Sequence, residues 1–81
     1  MTVHELKCWP EYFEALVTDR KKFELRKDDR GFQVHDKLVI REWNPGTTGY
    51  TGMALDFEVT YILRDHEGLS PGWIIMGVEA L

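Results

Sequence analysis

Strict alternation of apolar and polar residues is the clearest pattern in the chain, and it covers residues 55–63. The apolar positions are Leu55, Phe57, Val59, Tyr61 and Leu63, and the polar ones are Asp56, Glu58 and Thr60. Because side chains of a strand point alternately to its two faces, this pattern predicts a strand with one buried face. Shorter apolar runs predict further strands over residues 3–8, 37–43 and 73–80.

A different spacing follows the first of these strands. Apolar residues recur three and four positions apart at Trp9, Tyr12, Phe13, Leu16 and Val17. This period is typical of one apolar face of a helix. Pro10 suits the first helical turn, because its missing N–H would have no partner there. We therefore predict a helix from Pro10 to near Asp19.

Residues 22–27 also alternate, with charges on one face, and predict another strand. Phe23 and Leu25 are expected to point inward. The opposite, polar face then carries Lys22, Glu24 and Arg26. Strict alternation would place Lys21 among the apolar side chains, so we expect it to precede the regular strand and to be free to move.

Turns separate the strands and define the fold class. Residues 28–31 and 65–72 have turn chemistry, and the stretch from Asn44 to Gly52 is rich in Gly and Thr, which predicts a flexible loop. One N-terminal helix and about five strands make an α+β fold. Short connections favour a small, mostly antiparallel β-barrel that the helix plugs or flanks. The 81 residues fit a single domain over residues 1–81.

The charge of the chain is unevenly distributed. The net charge is −4, which argues against a protein that coats nucleic acid indiscriminately. Residues 20–30, RKKFELRKDDR, hold six basic and three acidic side chains, whereas the remainder carries −7. A basic segment within an acidic chain favours a local anion site over a basic face.

Apolar runs, the N-terminal residues and the cysteine content bear on the compartment and on membrane association. No apolar run approaches the ~20 residues of a membrane span, and the first residues have no basic flank followed by an apolar stretch. The one cysteine, Cys8, has no partner for an internal disulfide. We expect a cytoplasmic protein with no membrane partner.

The histidines and the cysteine do not show the spacing of a metal site. They are His4, Cys8, His35 and His66. The first two share a strand face, but their Cα atoms should be ~13 Å apart, too far for direct chelation or for a Cys–His nucleophilic pair. We expect Cys8 to be a small core residue, His66 to be a solvated loop residue, and neither a metal nor another cofactor to be bound.

The basic segment has two interpretations from its residues alone. It can be an exposed strand edge whose alternating charges prevent aggregation. It can also be an anion site, because lysine offers a mobile point charge for phosphate and arginine a planar fork of donors.

The order and spacing of residues between Leu6 and Arg26 resemble those of a known family. Leu6-Lys7, Pro10 and Tyr12, followed by Lys21-x-x-Glu24-x-Arg26, resemble the signature of ASCH-type domains of the PUA-like superfold. Those domains have a Lys-Pro-like turn, a helix and a Gly-x-Lys-x-x-Glu-x-Arg element. The likeness covers nearly the whole chain, through HELKCWPEYFEAL, KKFELRKDDRGFQV, DKLVIREW, GYTG, VTYILRDHEGL and PGWIIMGVEAL. Within these domains, the chain is similar to a small bacterial and phage subfamily of unknown activity.

Three positions depart from that signature. Asp19 replaces the leading glycine, and His35 replaces the glycine before the next Asp-Lys, both at predicted turns, where Asp and His tolerate unusual backbone angles. ASCH-like proteins that resemble amidohydrolases acting on acetylated cytidine use a Lys, a Thr and a Glu. Glu24 stands where the threonine would be, and a carboxylate can act as a base but cannot simply replace a hydroxyl nucleophile.

The resemblance implies a cleft between the helix, the end of the first strand and the strand that carries Arg26. Its ligand-binding residues would be Lys7, Trp9, Tyr12, Lys21, Glu24 and Arg26. An aromatic ring can stack on a base for ~1–3 kcal/mol. The Glu24 carboxylate can either accept from an exocyclic amine of a base or hold Arg26 in place.

Three functions remain open at this point. The first is a module that binds a nucleotide or a short single-stranded RNA. The second is a small hydrolase acting on a modified nucleoside, with Lys21 and Glu24 as catalytic candidates; the missing threonine argues against an enzyme. The third is a protein-interaction module that uses the Asn44–Gly52 loop and the acidic face.

Overall fold

One helix and five strands make up the fold in a computed structural model that describes all residues from Met1 to Leu81. The elements are β1 (Val3–Cys8), α1 (Pro10–Val17), β2 (Phe23–Lys27), β3 (Lys37–Asn44), β4 (Gly49–Leu63) and β5 (Trp73–Ala80). The predicted elements are therefore all present, and α1 begins at Pro10 as expected. No helix is both long and apolar enough to cross a membrane.

The strands form a single curved sheet in the order β1-β3-β4-β5-β2. β1 and β3 pair in parallel, and the other three pairs are antiparallel. Because no strand ladder joins the edge strands β1 and β2, the sheet forms a half-barrel. The barrel expected from the sequence is thus confirmed as a barrel-like α+β fold that does not close.

Two arginine side chains bridge the opening between the edge strands. Arg26 on β2 donates from Nη2 to the backbone carbonyl of Lys7 on β1, and the N–O distance is 2.7 Å. Arg30, just beyond β2, donates from Nη1 to the carbonyl of Glu5 at 2.7 Å. These hydrogen bonds connect the two edges where the backbones themselves do not pair.

The hydrophobic core lies inside the curve of the sheet. Its largest fully buried side chains are Phe32, Leu38, Ile40, Met76 and Val59. α1 packs against β3 and adds Phe13 and Leu16 to this core. The other members of the predicted helix face, Trp9, Tyr12 and Val17, are about half exposed. An eight-residue helix buries only a narrow stripe, so the predicted five-residue face was too wide.

The two faces of β2 are the reverse of those predicted. Glu24 is 2% exposed, whereas Phe23 and Leu25 are 46% and 50% exposed. In the pairing with β5, Glu24 lies opposite the buried Met76. The prediction that Phe23 and Leu25 point inward is therefore wrong. The alternation was correct, but it contains no information on which face is inside.

β4 is longer and less regular than its alternation predicts. It begins at Gly49, which pairs with Asn44, so much of the predicted flexible loop is a hairpin closed by a turn at residues 45–48. A bulge between Val59 and Tyr61 shifts the register against β5. The bulge reverses the faces of the strand beyond it, so Tyr61 is 65% exposed.

Asp19 and His35, which stand where the resembled signature has glycine, adopt left-handed backbone angles. The φ angle is 61° at Asp19 and 78° at His35. Both residues lie between regular elements, so the expected tolerance of Asp and His for unusual backbone angles is confirmed.

Candidate functional site

A cleft of about 600 Å³ opens between the end of β1, the start of α1 and β2. It is lined by Lys7, Cys8, Trp9, Tyr12, Lys21, Phe23, Glu24, Leu25 and Arg26. All six candidate ligand-binding residues are among these, so the structure brings them together. Phe23 and Leu25 were missed as lining residues, because the sequence pattern assigned them to the core.

Glu24 is the centre of the polar wall. Lys21 donates from Nζ to Oε1 at 2.6 Å, and Arg26 donates from Nε to Oε2 at 2.9 Å. The Glu24 side chain is 3% exposed, so the two cations provide the compensation that a buried carboxylate needs. The expectation that Lys21 is free to move is wrong, because Glu24 holds its ammonium.

Arg26 keeps part of its donor capacity despite these contacts. Its Nε and Nη2 are engaged by Glu24, and Nη2 also contacts the Lys7 carbonyl. No acceptor within the protein contacts Nη1. Because a guanidinium has five N–H donors in a rigid plane, Nη1 presents two of them in a fixed direction. The Arg26 side chain is 26% exposed and lines the cleft, so part of it is open to a ligand.

Lys7 and two aromatic residues form the opposite wall. Lys7 makes no ion pair, and its Nζ lies 4.7 Å from the centre of the Trp43 ring. The rings of Trp9 and Tyr12 have centroids 6.5 Å apart and planes that differ by 22°. Both side chains are about half exposed. This wall therefore presents flat apolar surface, while the Lys7 ammonium lies against Trp43, which does not line the cleft.

Cys8 lies at the cleft but is chemically quiet. It is 5% exposed. Burial, and secondarily the charge of Glu24, raise the pKa of the Cys8 thiol to about 11. Because the thiolate is the nucleophilic form, the neutral thiol is not activated near pH 7. The prediction that Cys8 is a small core residue is confirmed.

A second polar cluster, outside the cleft, was not anticipated from the sequence. His4 and Asp36 are buried, and His4 Nε2 lies 2.9 Å from Asp36 Oδ2. Asp36 also accepts the backbone N–H groups of Thr2 and Gln33. His4 and Asp36 are 32 positions apart in the chain, so no local sequence pattern indicates that they pair. The cluster ties the start of β1 to the start of β3.

The remaining histidines are at the surface. His35 lies 2.8 Å from a carboxylate oxygen of Glu58, and His66 accepts the backbone N–H of Gly68 in its own turn. His66 is thus an exposed loop residue, as predicted. No three side chains of His, Cys, Asp or Glu converge as metal ligands do.

Comparison with known proteins places this cleft within a family. A family model described as "Domain of unknown function (DUF3850)" matches residues 3–78. The chain belongs to this family. The match includes every residue that lines the cleft.

A phage protein is among the relatives of this family member. The chain is 33% identical over 58 residues to an uncharacterized 12.9 kDa protein in the GpA 3′ region of Escherichia phage P2. The matched part is 72% of this chain and 51% of the phage protein. The chain therefore aligns with about half the length of that relative.

Proposed function

We propose that this protein is an ASCH-type domain of the PUA-like superfold whose cleft binds a nucleotide or a short single-stranded RNA. The half-barrel, the N-terminal helix and the Lys21-x-x-Glu24-x-Arg26 element at the cleft support the ASCH assignment. The observation that carries the binding proposal is that cations and exposed aromatic rings share one cleft in a chain of net charge −4.

The distribution of charge favours binding of an anionic ligand at the cleft. The cleft is lined by Lys7, Lys21 and Arg26 and by the single carboxylate of Glu24, which leaves a local charge of +2. The rest of the chain is acidic. A long duplex would meet that acidic surface, whereas a nucleotide or the end of a short single strand can enter the cleft without doing so.

The roles of the lining residues follow from their free groups. Arg26 Nη1 and the two N–H groups of Lys21 that Glu24 leaves free are donors available to a phosphate. The flexible Lys7 side chain can add its ammonium by leaving the Trp43 ring. Trp9 and Tyr12 offer rings on which a base can stack. Both oxygens of Glu24 already accept hydrogen bonds, so Glu24 acts by positioning Lys21 and Arg26 rather than by reading a base edge.

The test is a titration of fluorescently labelled single-stranded RNA at low and moderate salt. Arg26→Ala and Lys21→Ala are expected to weaken binding by ~1–3 kcal/mol. Lys22→Ala is the matched control, since it removes the same charge from an exposed neighbour that does not line the cleft. No binding, or binding that neither cleft variant weakens, would contradict the proposal.

Hydrolysis of a modified nucleoside is a second candidate, and one contact favours it. The Lys21 ammonium and the buried Glu24 carboxylate lie 2.6 Å apart on the cleft wall, an arrangement found at acid–base sites. Chromatography of acylated nucleosides after incubation with the protein tests it. Turnover that Glu24→Gln abolishes would support an enzyme, and no turnover over a panel of such substrates would reject it.

A further inference from the structure

The outer face of β2, β5 and β4 carries an exposed apolar surface that the cleft does not explain. We call it the outer platform, and it consists of Phe23, Leu25, Tyr61, Leu63, Trp73 and Ile75. Four of these residues are more than a third exposed. A group of exposed apolar side chains on one face is typical of a binding surface.

Strand register arranges the platform in rows. Phe23 and Tyr61 are both paired with Gly77, so they flank it on the same face. Leu25 and Leu63 flank Ile75 in the next row. Two strand spacings separate the aromatic residues of the first row, about 10 Å. The floor between the two rings is not empty, because a Cβ on Gly77 would lie 3.1 Å from Thr60 Oγ1. Stacking surface in this row is therefore provided by the exposed rings of Phe23 and Tyr61 themselves.

The platform is continuous with the cleft. Phe23 and Leu25 belong to both, because β2 is an edge strand at the opening of the half-barrel. The Lys21 ammonium, which lines the cleft, also lies 5.1 Å from the centre of the Phe23 ring. A ligand that leaves the cleft past Lys21 therefore meets the first ring of the platform.

Two lysines lie beside the outer platform, Lys21 next to Phe23 and Lys27 next to Trp73. Lys27 lies opposite Trp73 on the same face and makes no ion pair. The core of a protein–protein interface is usually depleted of charged residues, whereas single-stranded nucleic acid is bound by aromatic rings with interspersed cations. The Glu58–Glu79 pair bounds the far end of the face, next to the Phe23 row, and sets a limit to any anionic strand there.

We infer that the outer platform extends the cleft, so that the ligand is a single-stranded RNA of several nucleotides rather than a mononucleotide. This inference rests on the proposed function of the cleft. One nucleotide occupies the cleft, and the following bases stack on Phe23 and Tyr61. Stacking tolerates any base, so the platform adds affinity with little sequence preference.

A length series separates the platform from the cleft. Uridine monophosphate and labelled oligouridylates up to about six nucleotides are titrated against the unmodified protein, since related single-strand sites hold ~4–16 nucleotides. The longest oligomer is expected to bind tightest. Tyr61→Ser should weaken it by about 5- to 150-fold, the equivalent of one lost stacking contact, and leave the monophosphate unaffected.

Three variants control this measurement. Tyr61→Phe keeps the ring and should retain the affinity of the longest oligomer. Tyr50→Ser removes a tyrosine of similar exposure at the other end of β4, outside the platform, and should change nothing. Arg26→Ala should weaken monophosphate and oligomers alike, because it acts in the cleft.

The outcomes distinguish the inference from the function on which it rests. If the monophosphate binds, depends on Arg26 and is not exceeded by the oligomers, the cleft proposal stands and the platform is rejected. If no nucleotide or oligomer binds, both are rejected. If sedimentation shows a dimer that Tyr61→Ser dissociates, the face is a self-association surface, which also rejects the platform.

Discussion

Arg26 combines structural contacts and a free donor group in one side chain. Its Nε and Nη2 contact Glu24 and the Lys7 carbonyl, while Nη1 has no partner within the protein. Scaffold and binding roles were alternatives when only the sequence pattern was considered. The geometry makes them compatible, because a guanidinium directs separate N–H groups to separate acceptors.

Replacing Arg26 by lysine separates charge from geometry. Arg26→Lys keeps the positive charge, but one ammonium cannot reach Glu24, the Lys7 carbonyl and a ligand together. We expect a lower melting temperature and a loss of RNA affinity on the order of 1–3 kcal/mol. Thermal unfolding and RNA titration on this variant measure both. A destabilised variant with unchanged affinity would show that Arg26 only supports the fold.

Asp36 is a buried acid whose titration affects stability. Burial raises the pKa of Asp36, but hydrogen bonds from His4 and from two backbone N–H groups outweigh it and hold the pKa below the ordinary 3.8. Since the folded pKa is the lower one, the contribution of Asp36 is complete above the unfolded pKa. It is lost as pH falls through the folded pKa.

Asp36→Asn should therefore make the protein less stable and less sensitive to acid. We expect the free energy of unfolding at pH 7 to fall by ~1–3 kcal/mol, because charge-assisted hydrogen bonds are lost. The further loss in acid, below about pH 4, should be smaller than in the unmodified protein. Some acid loss will remain, since a hydrogen bond from Arg64 also lowers the pKa of Asp28.

Urea denaturation across this pH range measures the effect. Asp29→Asn is a suitable control, because the Asp29 side chain is 65% exposed and makes only a long contact with Arg30. It should leave both the stability and its pH dependence nearly unchanged. An acid loss of equal size in Asp36→Asn and the unmodified protein would contradict the account.

At the scale of the element, α1 shows how a short amphipathic helix divides its apolar residues. Leu16 is 4% exposed and belongs to the core, whereas its neighbour Val17 is 54% exposed. The 3.6-residue period allows both to be part of one broad apolar face. Only the packing of α1 on β3 determines which is buried.

Substitution of these two neighbours tests the helix orientation. Leu16→Ala should lower the free energy of unfolding by ~2–5 kcal/mol, because it removes a buried side chain and leaves a cavity. Val17→Ala is expected to change it by less than ~0.5 kcal/mol. Urea denaturation of both variants gives the comparison. Similar losses would show that the buried stripe is as wide as the apolar pattern.

At the scale of the whole molecule, an acidic body surrounds a small cationic cleft. If three cations contact phosphates, the logarithm of the binding constant should fall with the logarithm of salt concentration with a slope of about −2. Lys21→Ala should reduce the size of that slope by about 0.7. RNA titrations at several salt concentrations measure it, with Lys22→Ala as the control. A slope near zero would reject phosphate contacts.

The repulsion from the acidic body has a second consequence. A duplex of the same sequence should bind more weakly than the single strand, because its second strand faces the acidic surface and its bases cannot stack on the cleft rings. Competition of unlabelled duplex against labelled single strand tests this. Equal competition would show that the cleft does not select for unpaired bases.

Local pattern was sufficient to predict the number and order of the regular elements, although the start of β4, from Gly49 to Gly52, was predicted as loop. The alternation at residues 55–63, the helical spacing after Pro10 and the turn residues between strands each depend on neighbours within a few positions. The left-handed backbone at Asp19 and His35 falls where the resembled signature has glycine, so that expectation came from the resemblance. The candidate cleft residues also came from sequence order, although through a resemblance rather than from spacing alone.

Tertiary structure alone decided which faces are inside. A period of two is the same for either face of β2, and Glu24 is buried there because Lys21 and Arg26 together compensate its charge. The His4–Asp36 pair and the half-barrel opening likewise depend on contacts between residues far apart in the chain. The free energy of such a contact depends on all the groups that surround it in the folded protein. A local sequence pattern therefore cannot predict it.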